Sequence, residues 1–170
     1  MNIAPCFFKT IMDALYSAII ICTYNLLNNK SESGFEDFLR FINNNLSIFK
    51  ISELQRRRGY PDKHWMLNRE KITCKTVEKD QQRIRRIKAL PSIKLRRDKT
   101  HAHLDKDYFF ERDKISKRAP LKWSDFDEII NIMKDILNTY SSSYDGNLFE
   151  IEVWNINDID SLLDRLHSEK

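Results

Sequence analysis

Ile129, Met133, Ile136 and Tyr140 fall on one stripe of a helix, because side chains three and four residues apart share a face. The same spacing recurs along much of the chain. Phe8, Ile11, Leu15, Ile19, Cys22 and Leu26 mark a first helix, and Phe35, Phe38, Leu39 and Ile42 mark a second. Ile84, Ile87 and Leu90 draw a narrow stripe along a third, mostly charged one. Leu46, Phe49 and Ile51 lie in a segment too short to assign. With only 3 glycines and 4 prolines in 170 residues, the chain lacks the turn residues of an all-β protein. The expectation is one all-α domain over residues 1–170, a bundle of four to five helices. Its core would span about 4–143, with a turn and a short helix capped by Asn157 over 144–170.

Boundaries are suggested by local chemistry. Pro5 suits a first helical turn, and "NKSESG" reads as a loop. Pro91 is expected to end or kink the helix that starts after Pro61 and to bias Leu90 away from helical angles. Ser124, with Asp127 three residues on, is the expected cap of the helix carrying Ile129. "SSSYDGN" reads as a turn.

The longest apolar stretch, Ala14 to Leu27, is interrupted by Ser17, Thr23 and Asn25 and is shorter than the roughly 20 residues of a membrane span. It also has no charged leader or small-residue cleavage site, so it reads as a buried core helix of a soluble protein. Cys6, Cys22 and Cys74 are scattered and odd in number, which suits a reducing cytoplasm, with Cys22 as core packing. Trp65, Trp123 and Trp154 are candidates for buried anchors or core.

The net charge of +4 is unevenly placed: −1 over residues 1–55, +11 over 56–100 and −6 over 101–170. A basic middle leading into a histidine cluster points to a polyanion such as a nucleic acid, or else to the solvated face of a long helix. The cluster itself is "LRRDKTHAHLDK", Leu95 to Lys106. His101, His103 and Asp105 spell a metal-like His-x-His-x-Asp, similar to the opening of the metallo-β-lactamase motif. That motif's last histidine is replaced here by Lys106, and on a helix His101 and His103 would point roughly 200° apart. No metal and no other cofactor is expected. A helix end with solvated positive charge is the bland alternative.

"LRRDKTHAHLD", after a basic helix and before "SDFDEIINIMKDIL", resembles the HEPN superfamily, whose hallmark is an arginine, four to six residues, then a histidine. The wording around Arg97, Asp98, Ala102 and His103 is similar to the abortive-infection U branch, known from phage defence, as is the opening "APCFFKTIMDALYSAIIICTYNLL". Arg96 with His101 or His103 also satisfies the hallmark, but Arg97 with His103 places Asp98 and Ala102 where the branch has them. His101 is then a second contact or a surface residue. Some HEPN toxins carry a tyrosine two residues after the histidine, as a target for modification; Asp105 stands there.

The resemblance implies a metal-independent endoribonuclease, with Arg97 and His103 catalytic and Asp98 in support. It also implies a homodimer that joins two motifs in one cleft, RNA as substrate, and a cognate antitoxin if the role is that of a toxin. Arg83, Arg85, Arg86, Lys88, Arg96 and Lys99 would hold the RNA backbone without reading its sequence. The alternative within the family is a non-catalytic domain that binds nucleic acid or a partner protein.

Overall fold

The computed structural model describes residues 5–28, 33–101 and 112–150, together with Ser161, Asp164 and Arg165. Side chains are described for these except at 5, 100, 101, 112 and 113. The architecture is all-α: seven helices and no strand among the described residues. They are α1 (Pro5–Leu27), α2 (Phe35–Asn44), α3 (Ile51–Arg58), α4 (Cys74–Arg85), α5 (Leu90–Arg96), α6 (Arg112–Arg118) and α7 (Trp123–Asp145). Short 3-10 turns occupy Leu46–Phe49 and Trp65–Leu67, and a π-helical turn, Arg97–His101, directly continues α5.

The core forms where the apolar stripes meet. Ile20, Tyr24 and Leu27 of α1 pack with Leu39 and Ile42 of α2, Val77 and Ile84 of α4, and Ile129, Ile136 and Tyr140 of α7. Ile87 and Ile93, either side of the α5 start, join the same cluster. A smaller cluster of Ile115 and Ala119 packs against Leu95.

Several sequence expectations need correction. The inner face of α1 carries Tyr16, Ile20, Tyr24 and Leu27; Phe8, Ile11, Leu15, Cys22 and Leu26 face outward, and residues 6–15 are exposed throughout. Helix α1 therefore joins the core only through one face of its C-terminal half, rather than being buried along its length. By length and composition alone Cys6–Leu27 could cross a membrane, with a mean hydropathy of 1.5. The physical reason for the misreading is that both faces are apolar, with Lys9 and Asp13 the only charges in the helix.

Residues 61–73 are not helical beyond one 3-10 turn. Helix α4 starts instead at Cys74, where the Thr73 hydroxyl accepts from the Thr76 N–H and the Thr76 hydroxyl accepts from the Thr73 N–H. Pro91 begins rather than ends a helix: it is the second residue of α5, so Leu90 is helical, and Pro91 lacks only an N–H that a first turn leaves unpaired. Helix α7 starts two residues early, at Trp123 with Lys122 as its cap, and the Asp125 carboxylate accepts from the Lys122 N–H at 2.7 Å. It also runs through the serines to Asp145 and stops at Gly146, whose φ of 81° is costly for any residue with a Cβ. Trp65 and Trp123 are exposed rather than core, and Trp154 lies outside the described residues. So does Asn157, the expected cap of a C-terminal helix, although Ser161, Asp164 and Arg165 are helical.

Two polar devices fix helix positions. Arg57 donates to the Tyr144 carbonyl at 2.8 and 3.0 Å and to the Ile48 carbonyl at 2.7 Å, and its guanidinium lies 4.2 Å from the Tyr144 ring centroid. Arg58 donates to the Asp145 carbonyl. Helix α3 thus supplies cations to the negative end of α7. In the core, Asp80 accepts from the Tyr140 hydroxyl at 3.0 Å and from Arg83 at 3.3 Å, while Arg83 also reaches Asp135 at 2.8 Å.

Burial, and then the nearby Asp80 carboxylate, hold the Tyr140 pKa above its ordinary value. A folded-state pKa raised in this way leaves stability untouched below the unfolded value of about 10 and erodes it as pH rises above that value. In chemical denaturation between pH 9 and 11.5, Tyr140→Phe should therefore show a shallower alkaline loss of stability than the parent. Equal slopes would contradict the assignment.

Candidate active site

The site is built at the end of α5. Leu90–Arg96 leads into the π turn without a break, and Arg97 keeps helical angles, with φ −56° and ψ −50°. Adjacent residues on a helix point about 100° apart, so Arg96 and Arg97 leave in different directions. The Arg96 Nε donates to the Ala119 carbonyl at 2.7 Å, and its guanidinium lies 5.9 Å from the Tyr16 ring centroid. Arg97 meets α1 two turns further on, at Tyr24.

There the Arg97 guanidinium sits 3.8 Å from the centroid of the Tyr24 ring, a close cation–π contact. Its Nη2 reaches Asp98 Oδ1 at 2.6 Å. Its Nε is buried with no hydrogen-bond partner among the described residues. The side chain remains 26 % exposed. A guanidinium braced on one face by an aromatic ring and still partly exposed is oriented yet able to meet an anionic partner.

Arg97 lines an open cleft of about 620 Å³, together with Tyr24, Leu27, Glu36, Ile84, Arg85, Ile87, Leu90, Pro91 and Lys94. The floor is apolar, and the charges are Arg85, Lys94 and Arg97 against the single carboxylate of Glu36. Arg85 forks onto buried Glu36, with Nε–Oε1 at 2.7 Å and Nη2–Oε2 at 3.1 Å. The hydrogen bond, and then the charge of Glu36, push the Arg85 pKa further above its already high value. Lys94 is exposed, has no ion pair among the described residues, and precedes Arg97 by three residues, which puts both on one helix face.

The residues expected from sequence separate into groups. Arg97 and Asp98 are in contact, and Arg97 lines the cleft. The backbone of His101 closes the π turn, but its side chain, and all of His103, lie outside the described residues. Among the six basic residues, Arg83 joins Asp80 and Asp135, Arg85 grips Glu36, and Arg96 ties α5 to Ala119, so each holds elements together. Arg86 and Lys88 are exposed in the connection before α5, and Lys99 is half-buried in the π turn. Sequence reasoning overlooked Tyr24, Glu36 and Lys94. Only Lys94 carried a local signal, its three-residue spacing from Arg97.

A helical domain that presents an arginine from a helix end to a basic cleft is HEPN-like in fold and in motif. The HEPN AbiU2 family model matches residues 1–165, and the chain belongs to this abortive-infection U-like family of the HEPN superfamily. No curated protein and no solved structure matches the chain.

Proposed function

We propose that the protein is a metal-independent endoribonuclease acting in the cytoplasm, in phage defence or as a toxin. One observation carries the reading. Arg97, the arginine of the family motif, is braced by Tyr24 and Asp98 and faces a basic cleft large enough for a nucleotide. The neighbouring Arg96 is turned to Ala119, which favours Arg97 as the motif's arginine.

RNA carries its own nucleophile. The 2′-hydroxyl loses its proton to a base and bonds to the adjacent phosphorus, and the bond from phosphorus to the 5′-oxygen breaks. That oxygen takes a proton from an acid. The products are a 2′,3′-cyclic phosphate and a 5′-hydroxyl. Histidine titrates near neutrality and serves either proton role, which is the part assigned to His103. Arg97 stabilises the charge that accumulates on the phosphoryl oxygens, and Asp98 orients it. Two proton transfers call for two histidines, which a second copy supplies if a two-fold dimer shares the cleft.

Purified protein in EDTA should release RNA fragments with 2′,3′-cyclic phosphate ends, and His103→Ala should abolish them. RNA binding without cleavage by the parent would identify a non-catalytic HEPN domain instead. Undiminished cleavage by His103→Ala would remove the proposed chemistry.

A further inference from the structure

Far from Arg97, the segment 56–71 holds six Lys/Arg and two Asp/Glu around three aromatic rings. Tyr60 and His64 stack face to face, with centroids 4.0 Å apart and planes 4° apart. Trp65 continues the stack, 5.8 Å from His64 and inclined by 29°. The stack is locally built: the 3-10 turn at Trp65–Leu67 is capped by His64, whose Nδ1 accepts from the Met66 N–H at 3.3 Å. It also rests on the end of α7, because a Cβ at Gly146 would come within 3.0 Å of the Tyr60 hydroxyl and 3.1 Å of the Met66 methyl.

Trp65 is the most exposed large hydrophobic side chain among the described residues, at 75 %. A tryptophan placed in water by a rigid support, rather than by a loose end, is a surface awaiting a flat partner. The charge around it is mainly positive, with Asp62 and Glu70 the two carboxylates of the segment. Lys63 and Lys71 are exposed and have no ion pair among the described residues. In the same segment Arg69 has both terminal nitrogens buried and without hydrogen-bond acceptors among the described residues. Burial lowers its pKa from the ordinary value, and Tyr60 and Asp145 partly offset this.

We infer that the Tyr60–His64–Trp65 stack with Lys63 and Lys71 is a second binding site for single-stranded RNA, separate from the Arg97 cleft, on which a base stacks against Trp65. Stacking suits any base because each has a π face, and the lysines take the phosphates on either side without reading sequence. An acidic protein would satisfy the lysines but has no comparable use for an open, supported indole face.

Helix α7 gives the distance between the two sites. The pairs Asp80–Tyr140 and Arg83–Asp135 show that α4 and α7 run antiparallel, so the cleft at Ile84 and Arg85 lies on the far side of Asp135 from the helix end that Arg57 and Arg58 hold. At 1.5 Å per residue the sites are on the order of 20 Å apart along the helix. One strand must therefore be several nucleotides long to occupy both.

The inference rests on RNA being the substrate, yet its test does not require cleavage. Binding of the full chain to a fluorescein-labelled, mixed-sequence 20-nucleotide RNA is measured against salt, alongside binding of a trinucleotide. Trp65→Ala should weaken the 20-mer by about 10-fold or more and leave the trinucleotide unchanged. Lys63→Ala with Lys71→Ala should lower the salt slope by about one to two phosphates. Circular dichroism should match the parent, since these side chains are exposed. Equal 20-mer affinity in Trp65→Ala and parent would overturn the inference, as would displacement of the RNA by polyglutamate as readily as by unlabelled RNA. A Trp65-dependent 20-mer that is never cut would leave this site standing and remove the nuclease reading alone.

Discussion

Arg97→Ala is expected to lower RNA cleavage by about 100-fold or more, the usual cost of removing one preorganised group that stabilises transition-state charge. Arg97→Lys keeps the charge but loses the planar fork and the flat contact with Tyr24, so it should recover only part of the activity. Arg96→Ala gives the necessary contrast. Its guanidinium binds the Ala119 carbonyl, so its loss should appear chiefly in stability. Initial rates on a quenched fluorescent RNA, with thermal melts of all three variants, separate these cases. An Arg97→Ala enzyme with parental rates would end the claim that this arginine meets the phosphate.

The second large effect is on folding. Asp80→Ala should destabilise the domain by about 2–4 kcal/mol, because it leaves the buried Tyr140 hydroxyl without its acceptor and removes one of two carboxylates from Arg83. A thermal midpoint lower by roughly 5–15 °C is the corresponding observation. Asp80→Asn, which keeps an acceptor for Tyr140, should recover part of the loss. Removing both partners, as in Asp80→Ala with Tyr140→Phe, should cost less than the two single changes together. A single-variant loss under 0.5 kcal/mol would show that the pair does not anchor α4 to α7.

These two sites show what can be read from a one-dimensional pattern. The stripe of Ile129, Ile136 and Tyr140 is visible in sequence because its residues are helical neighbours, and all three are buried. The pairing of Arg97 with Asp98 is legible for a different reason, since the two are adjacent in the chain and the long arginine reaches its neighbour. Tyr24 beneath Arg97 and Glu36 beneath Arg85 are not, since they join helices distant in the chain and no spacing rule connects them. Helix α1 shows a second limit. Periodicity finds apolar faces but does not rank them, so the stripe of Phe8, Ile11 and Leu15 looked inward, whereas the core took Ile20, Tyr24 and Leu27. Trp65 shows a third: hydrophobicity suggests burial, but His64 and Tyr60 support the ring from its own segment and leave it outside.

The π turn at Arg97–His101 also bears on how the motif can vary in length. A π turn holds one residue more than an α turn, so a deletion within it can be absorbed by a return to α geometry, without refolding the helix that precedes it. An ordinary α turn offers no such slack. The step from arginine to histidine therefore begins in a stretch of this helix where the residue count is negotiable. Chains that differ by a residue between the two can still present the same arginine from the same place.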